Sequence, residues 1–129
     1  MRTWTWLGLL LVITSLTACQ APPVVGDATR GAELIKQPVI GSKPAPGCLT
    51  CHSLEPEVVL VGPSLAAIGR IAQEAAGEKT AADYLHDAIT NPDNQISAGF
   101  EAGKMYQTYG DELTDQEIAD LVAYLQTLK

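Results

Sequence analysis

The clearest pattern lies near the end of the chain. Ile118, Leu121, Val122, Leu125 and Leu128 recur at i, i+3, i+4, i+7 and i+10, which lays one apolar stripe along a helix. Thr114-Asp115-Gln116-Glu117 just ahead fits a capping box, so the helix is predicted to begin there. A second helix is predicted over 80–90, with Thr80 as its cap, Asp83 in its first turn and Asn91-Pro92 as its stop. Residues 27–35 read as a first helix with Asp27 as N-cap, and 64–72 as a short helix following Gly62-Pro63. Residues 36–47 contain Pro38, Gly41, Pro44, Pro46 and Gly47 and are predicted to be loop. Residues 91–110 hold Pro92, Gly99, Gly103 and Gly110 without a sustained period, a long loop of the kind kept for function or for wrapping a ligand. No strand alternation competes and no internal repeat is visible, so the expected class is all-α with loops.

The 129 residues allow one domain, and the start of the chain reads as a targeting segment. Met1-Arg2 is a basic start, followed by a short apolar middle and the small Thr17-Ala18 before Cys19, which together read as a secretory signal over 1–18. The apolar run 4–18 is shorter than the roughly 20 residues a membrane-spanning helix needs. Leu16-Thr17-Ala18-Cys19 resembles the lipobox of bacterial lipoproteins, in which the cysteine is acylated and becomes the new N-terminus. Ordinary cleavage leaving Cys19 as a free thiol is the plainer alternative. Stable anchoring takes two or more acyl chains, each buried CH₂ contributing about 0.8 kcal/mol, and a fully acylated Cys19 supplies them. The expectation is an exported protein, lipid-anchored to the periplasmic or extracytoplasmic side of its membrane. Residues 19–26 would be the tether, with Pro22-Pro23 favouring an extended chain of about 3.1 Å per residue and a reach of roughly 20 Å. The folded domain would be 27–129.

Charge and aromatic content narrow the picture further. Cleavage after residue 18 removes only Arg2 of the 8 basic residues and none of the 15 acidic ones, moving the formal charge from −7 to −8. Such a surface offers no footprint for nucleic acid and suits a partner with a basic docking face. Trp4 and Trp6 leave with the signal, so one Phe and four Tyr remain, a thin stock that a buried prosthetic group would supplement.

Cys48-Leu49-Thr50-Cys51-His52 carries the candidate chemistry. In an exported chain, Cys-x-x-Cys-His reads as covalent attachment of a c-type haem. The two thiols add to the two vinyl groups of one porphyrin edge, and His52 is then held beneath the iron as its proximal ligand. A redox dithiol would normally sit in a thioredoxin-like α/β fold, and this sequence lacks the strands. A zinc site would need about four ligands, and Cys48, Cys51, His52 and a distant His86 make a poor set. A disulfide across two residues would staple almost nothing.

With that motif in place, nearly all of 27–129 resembles the class I, monohaem cytochromes c, of the membrane-tethered lipoprotein type. Gly26-Asp27-Ala28 through Gly31-Ala32 to Leu34 looks like that family's first helix, and 119–125 like its last. The resemblance implies three to five helices around one covalent haem c, with the terminal helices crossing at Gly31 and Tyr124. Gly62-Pro63-Ser64-Leu65 is similar to the family's post-haem turn, which implies that the Pro63 carbonyl orients His52 through its Nδ1–H and raises its basicity. The stretch from Asn91-Pro92 to Lys104-Met105 is similar to the distal-ligand loop, and Met105, the one methionine besides Met1, stands as the implied sixth ligand. Met105 is followed by Tyr106 where many relatives have proline, and 36–47 is longer than the usual link. His86 is a rival ligand that reads better as a solvated surface residue. Arg70, Tyr84, Tyr106 and Tyr109 are candidates to bond the haem propionates.

The implied function is one-electron carriage in a respiratory or photosynthetic chain, as a tethered shuttle or a subunit of a membrane complex. A thioether opposite His raises the reduction potential. Donor and acceptor would be redox proteins, for instance a quinol-oxidising complex or a terminal oxidase, and no small-molecule substrate is expected. No nucleophile–base pair or carboxylate dyad points to an enzyme. The alternative is a haem-based ligand-binding sensor or peroxidase-like protein with a labile sixth ligand.

Overall fold

A computed structural model describes residues 23–129. Five helices dominate it: α1 Ala28–Leu34, α2 Ile68–Ala75, α3 Ala81–Thr90, α4 Tyr109–Glu112 and α5 Asp115–Leu125. Capping fixes the starts of three of them. The Thr114 side chain accepts from the Glu117 amide while the Glu117 carboxylate accepts from the Thr114 amide at 2.8 Å, and Thr80 and Asp83 make the same reciprocal pair ahead of α3. Asp27 caps α1 through the Thr29 and Arg30 amides. Ile118, Leu121, Val122 and Leu125 of the apolar stripe are buried, and Leu128 follows the helix, half-buried. Around that stripe pack Ile35 from the end of α1 and Leu85 and Ile89 from α3. Among the described residues no helix is long and apolar enough to cross a membrane.

The helices α1 and α5 cross at the two expected positions. A Cβ on Gly31 would run into the Asp120 carbonyl and come within 2.7 Å of the Tyr124 Cβ, so only a residue without a side chain allows this approach. Asp120, 4% exposed, binds the crossing together. It accepts from the Asp27 amide at 2.7 Å and from the Arg30 guanidinium at 2.8 and 2.9 Å, a two-pronged contact. The Arg30 bonds, strengthened by those from Asp27 and Gln116, hold its carboxyl down at about 2. The sequence reading of α5 as a simple apolar stripe gave no sign of this buried carboxylate.

Three segments differ from expectation. The helix expected over 64–72 begins four residues later, because Ser64 and Leu65 are committed elsewhere. The Ser64 hydroxyl donates to the Glu55 carbonyl at 2.7 Å and the Leu65 amide to the Ser53 carbonyl at 2.8 Å. In α2, Gly69 comes so close to the end of α5 that its amide donates to the Leu128 carbonyl at 2.8 Å. The loop 36–47 contains a short antiparallel pair, β1 Val39–Ile40 with β2 Ala45–Pro46, and buries Ile40 and Ala45. Two residues per strand are too few to leave an alternation in the sequence. Likewise the loop 91–110 holds a 3-10 turn at Pro92–Asn94 and runs into α4, one turn of helix that no periodicity could disclose.

The secretory signal, Cys19 and the first part of the tether lie outside the described residues.

Candidate cofactor site

A 3-10 turn at Cys48–Thr50 sets the geometry of the motif. The Cys51 and His52 amides both donate to the Cys48 carbonyl, at 3.1 and 3.0 Å, and Cys48, Cys51 and His52 all line one large cavity. The chain then leaves and returns, since the Gly62 amide donates to the Cys51 carbonyl at 2.8 Å. That return brings Pro63 to His52, whose Nδ1 lies 2.8 Å from the Pro63 carbonyl oxygen. A carbonyl can only accept, so Nδ1 carries the proton and Nε2 keeps its lone pair. Gly62 lies against the ring itself: a Cβ there would be 2.5 Å from Cε1 and 2.7 Å from Nδ1.

Cys48 and Cys51 are free thiols. Burial pushes the Cys48 thiol up to about 11, the reverse of the depressed value that a redox dithiol needs. Among the described residues no three His, Cys, Asp or Glu side chains stand close enough to hold a metal ion by themselves. The raised Cys48 thiol does not favour the dithiol reading, and the described residues gather no such ligand set for zinc.

The cavity opens to solvent, and its walls are mainly apolar, with Ile35, Leu65, Ile68, Leu85, Leu121 and Leu125 among them. Met105, half-buried, lines the same space from the 91–108 segment. That segment is held by Asp93, which accepts from the Gly103 amide at 2.8 Å and from Gln107 Nε2 at 3.2 Å. Gln107 Nε2 also donates to the Met105 carbonyl at 2.8 Å. These contacts provide local order where Tyr106 stands in place of proline. Sequence reasoning missed Asp93, since an acid ten residues ahead of a loop glycine has no pattern to mark it.

The remaining candidates separate clearly. Tyr84, Tyr106 and Tyr109 line the cavity, whereas Arg70 is exposed outside it and paired with Glu74 at 2.9 Å. The Tyr109 hydroxyl donates to the Pro46 carbonyl at 2.6 Å and that of Tyr106 to the Glu112 carboxylate at 2.8 Å. The two rings meet edge to face, 5.0 Å between centroids. Burial raises the Tyr109 phenol well above its ordinary value, so it serves as a neutral donor. His86 is exposed on α3 and does not line the cavity.

Gln95 adds a feature unforeseen from the sequence. Its Nε2 donates to the Tyr84 carbonyl and to Asp87, while its Oε1 is buried in the cavity wall with no donor among the described residues. Two free thiols beside an imidazole of fixed tautomer, a thioether in the same cavity and apolar walls together fit a covalently attached haem.

Among curated proteins none matches the chain. The family model described as Cytochrome c matches residues 28–129, most of the chain. The chain belongs to the cytochrome c family, whose members attach haem covalently and use it to transfer electrons.

Proposed function

We propose that this protein is a one-electron carrier holding a single haem c, with Cys48 and Cys51 as the attachment points and His52 and Met105 as the axial ligands. The observation that carries the reading is that one cavity is lined by all four of these side chains. Haem bound there supplies Fe(III)/Fe(II) exchange at a potential raised by the thioether. The residues of this chain do the rest. The Pro63 carbonyl keeps His52 Nδ1 protonated and so reserves Nε2 for the metal. Leu65, Ile68, Leu121 and Leu125 exclude water, which keeps reorganisation small and favours the state of lower charge. Asp93 restrains the segment on which Met105 rides.

The motif Leu16-Thr17-Ala18-Cys19 behind a signal-like segment supports export and a lipid anchor on the outer face of the membrane. With a tether reaching roughly 20 Å, the domain works close to that surface, as a shuttle or a complex subunit. Redox proteins of a respiratory or photosynthetic chain, such as a quinol-oxidising complex or a terminal oxidase, are its donor and acceptor.

Mass spectrometry of the protein from its native membrane tests cofactor and location together. One haem on residues 48–51 and acyl chains on Cys19 are expected. A free, unmodified Cys19 removes the anchor, and loss of haem on denaturation removes the covalent site.

A further inference from the structure

Residues 53–65 form a loop closed at its base by the bonds from Gly62 to Cys51, Leu65 to Ser53 and Ser64 to Glu55. Its tip is Val58-Val59-Leu60-Val61, four consecutive aliphatic residues that are 43, 59, 51 and 59% exposed. Glu57 leads into the tip at φ +62°, a left-handed conformation that a residue with a side chain adopts at a cost. None of the four belongs to the core, and Val61 lines the cofactor cavity, as does Ile96, itself 43% exposed. An exposed aliphatic cluster on pinned backbone, one of whose residues lines the cofactor cavity, marks a contact surface.

The charge around the tip points to what covers it. Residues 44–69 contain no Lys or Arg. Glu55 and Glu57 are exposed and form no ion pair among the described residues. A surface built to enter a bilayer combines its aliphatic residues with Lys and Arg for anionic headgroups; the tip's own segment carries none, and Lys104, which lines the cavity with Val61 and Ile96, is paired with Glu101. A second copy of the chain would bring the same glutamates against one another.

We propose that Val58-Val59-Leu60-Val61 together with Ile96 docks a redox partner protein whose own contact face is apolar at its centre and rimmed by Lys or Arg. The proposal rests on the carrier reading and names the chemistry of the partner. Exchange across the contact moves one electron between the haem and the partner's redox centre, with no bond formed or broken. The docking loop is also the loop that seats His52 through Gly62 and Pro63, so the partner is received beside the proximal wall of the site.

The test uses the haem-loaded full chain, washed membranes of the native cell energised with NADH, and ferricyanide as a small oxidant that needs no docking. Val59→Ser with Leu60→Ser is expected to slow exchange with the membranes about tenfold or more, leaving the visible spectrum and the ferricyanide rate unchanged. Glu55→Lys with Glu57→Lys is expected to slow it at low salt and to remove the fall in rate as salt is added. Membrane rates unchanged in both variants would overturn the docking face while leaving the carrier reading intact. A chain that exchanges electrons with neither membranes nor ferricyanide sinks the carrier reading, and this proposal with it. Crosslinking of residues 58–61 by a photoactivatable acyl chain in phosphatidylcholine vesicles would reassign the tip to the bilayer. A dimer in sedimentation that the serine variant abolishes would reassign it to a second copy. Either result overturns the proposal.

Discussion

Gly62 lies directly against the imidazole of His52, leaving no room for even one methyl group between backbone and ring. The next residue, Pro63, holds the ring's Nδ1 from the same stretch of backbone. One short segment therefore sets both the position and the tautomer of the proximal side chain.

Gly62→Ala is expected to displace the ring from the Pro63 carbonyl and to cost about 1–3 kcal/mol from overpacking. Thermal unfolding of the haem-loaded protein measures the cost. A shift in its visible spectrum reports the displaced imidazole, and an unchanged spectrum would show that the ring is not held by this contact.

Met105→Ala is expected to abolish the near-infrared absorption that marks a methionine–Fe(III) bond, to lower the reduction potential and to admit carbon monoxide rapidly to the reduced protein. His86→Ala should change none of these, because His86 is exposed away from the cavity. If His86→Ala removed the band and Met105→Ala spared it, the axial assignment would be reversed. Rapid carbon monoxide binding by the unsubstituted protein, without the band, would favour a ligand-binding sensor.

Asp93→Ala frees the Gly103 amide and one contact of Gln107. The expected loss of stability is about 1 kcal/mol for the hydrogen bonds concerned. Its more telling effect is a weaker near-infrared band and faster carbon monoxide binding, which a merely structural role would leave alone.

Acid should loosen the helix crossing in a defined window. The Asp120 carboxyl is held down at about 2 in the folded chain, against about 3.9 when unfolded. A depressed folded value means that the stabilisation is complete above about pH 4 and is lost as pH falls towards 2. Arg30 is 54% exposed and screened by solvent, which reduces the contribution to about 1–2 kcal/mol. Asp120→Asn should flatten this part of the stability–pH curve, and denaturant titrations between pH 2 and 5 measure it. A curve equally steep in the variant would assign the acid sensitivity to other carboxylates.

The helices legible in the sequence were those whose ends carry a local chemical signal. Thr114 with Glu117 and Thr80 with Asp83 act within a single turn, and so α5 and α3 could be placed closely. The start of α2 is decided by Ser53 and Glu55, which capture Leu65 and Ser64 from about ten residues away. The motif residues 48–52 were readable because the attachment chemistry demands that spacing. Asp120 looked like an ordinary surface acid on a helix, since two of the residues that satisfy it, Asp27 and Arg30, are 90 or more positions distant.

The crossing of α1 and α5 also determines where a mechanical load would be carried. The Val25 carbonyl accepts from Gln116 and the Asp27 amide donates to Asp120, so the chain is clamped to α5 at the point where it enters the domain. Tension arriving through the residues ahead of Val25 meets these bonds and the Arg30 fork first. It is taken up along α5 before it can reach the loop that carries Cys48, Cys51 and His52, and the part of the cofactor wall that it meets first is Leu121 and Leu125 of α5.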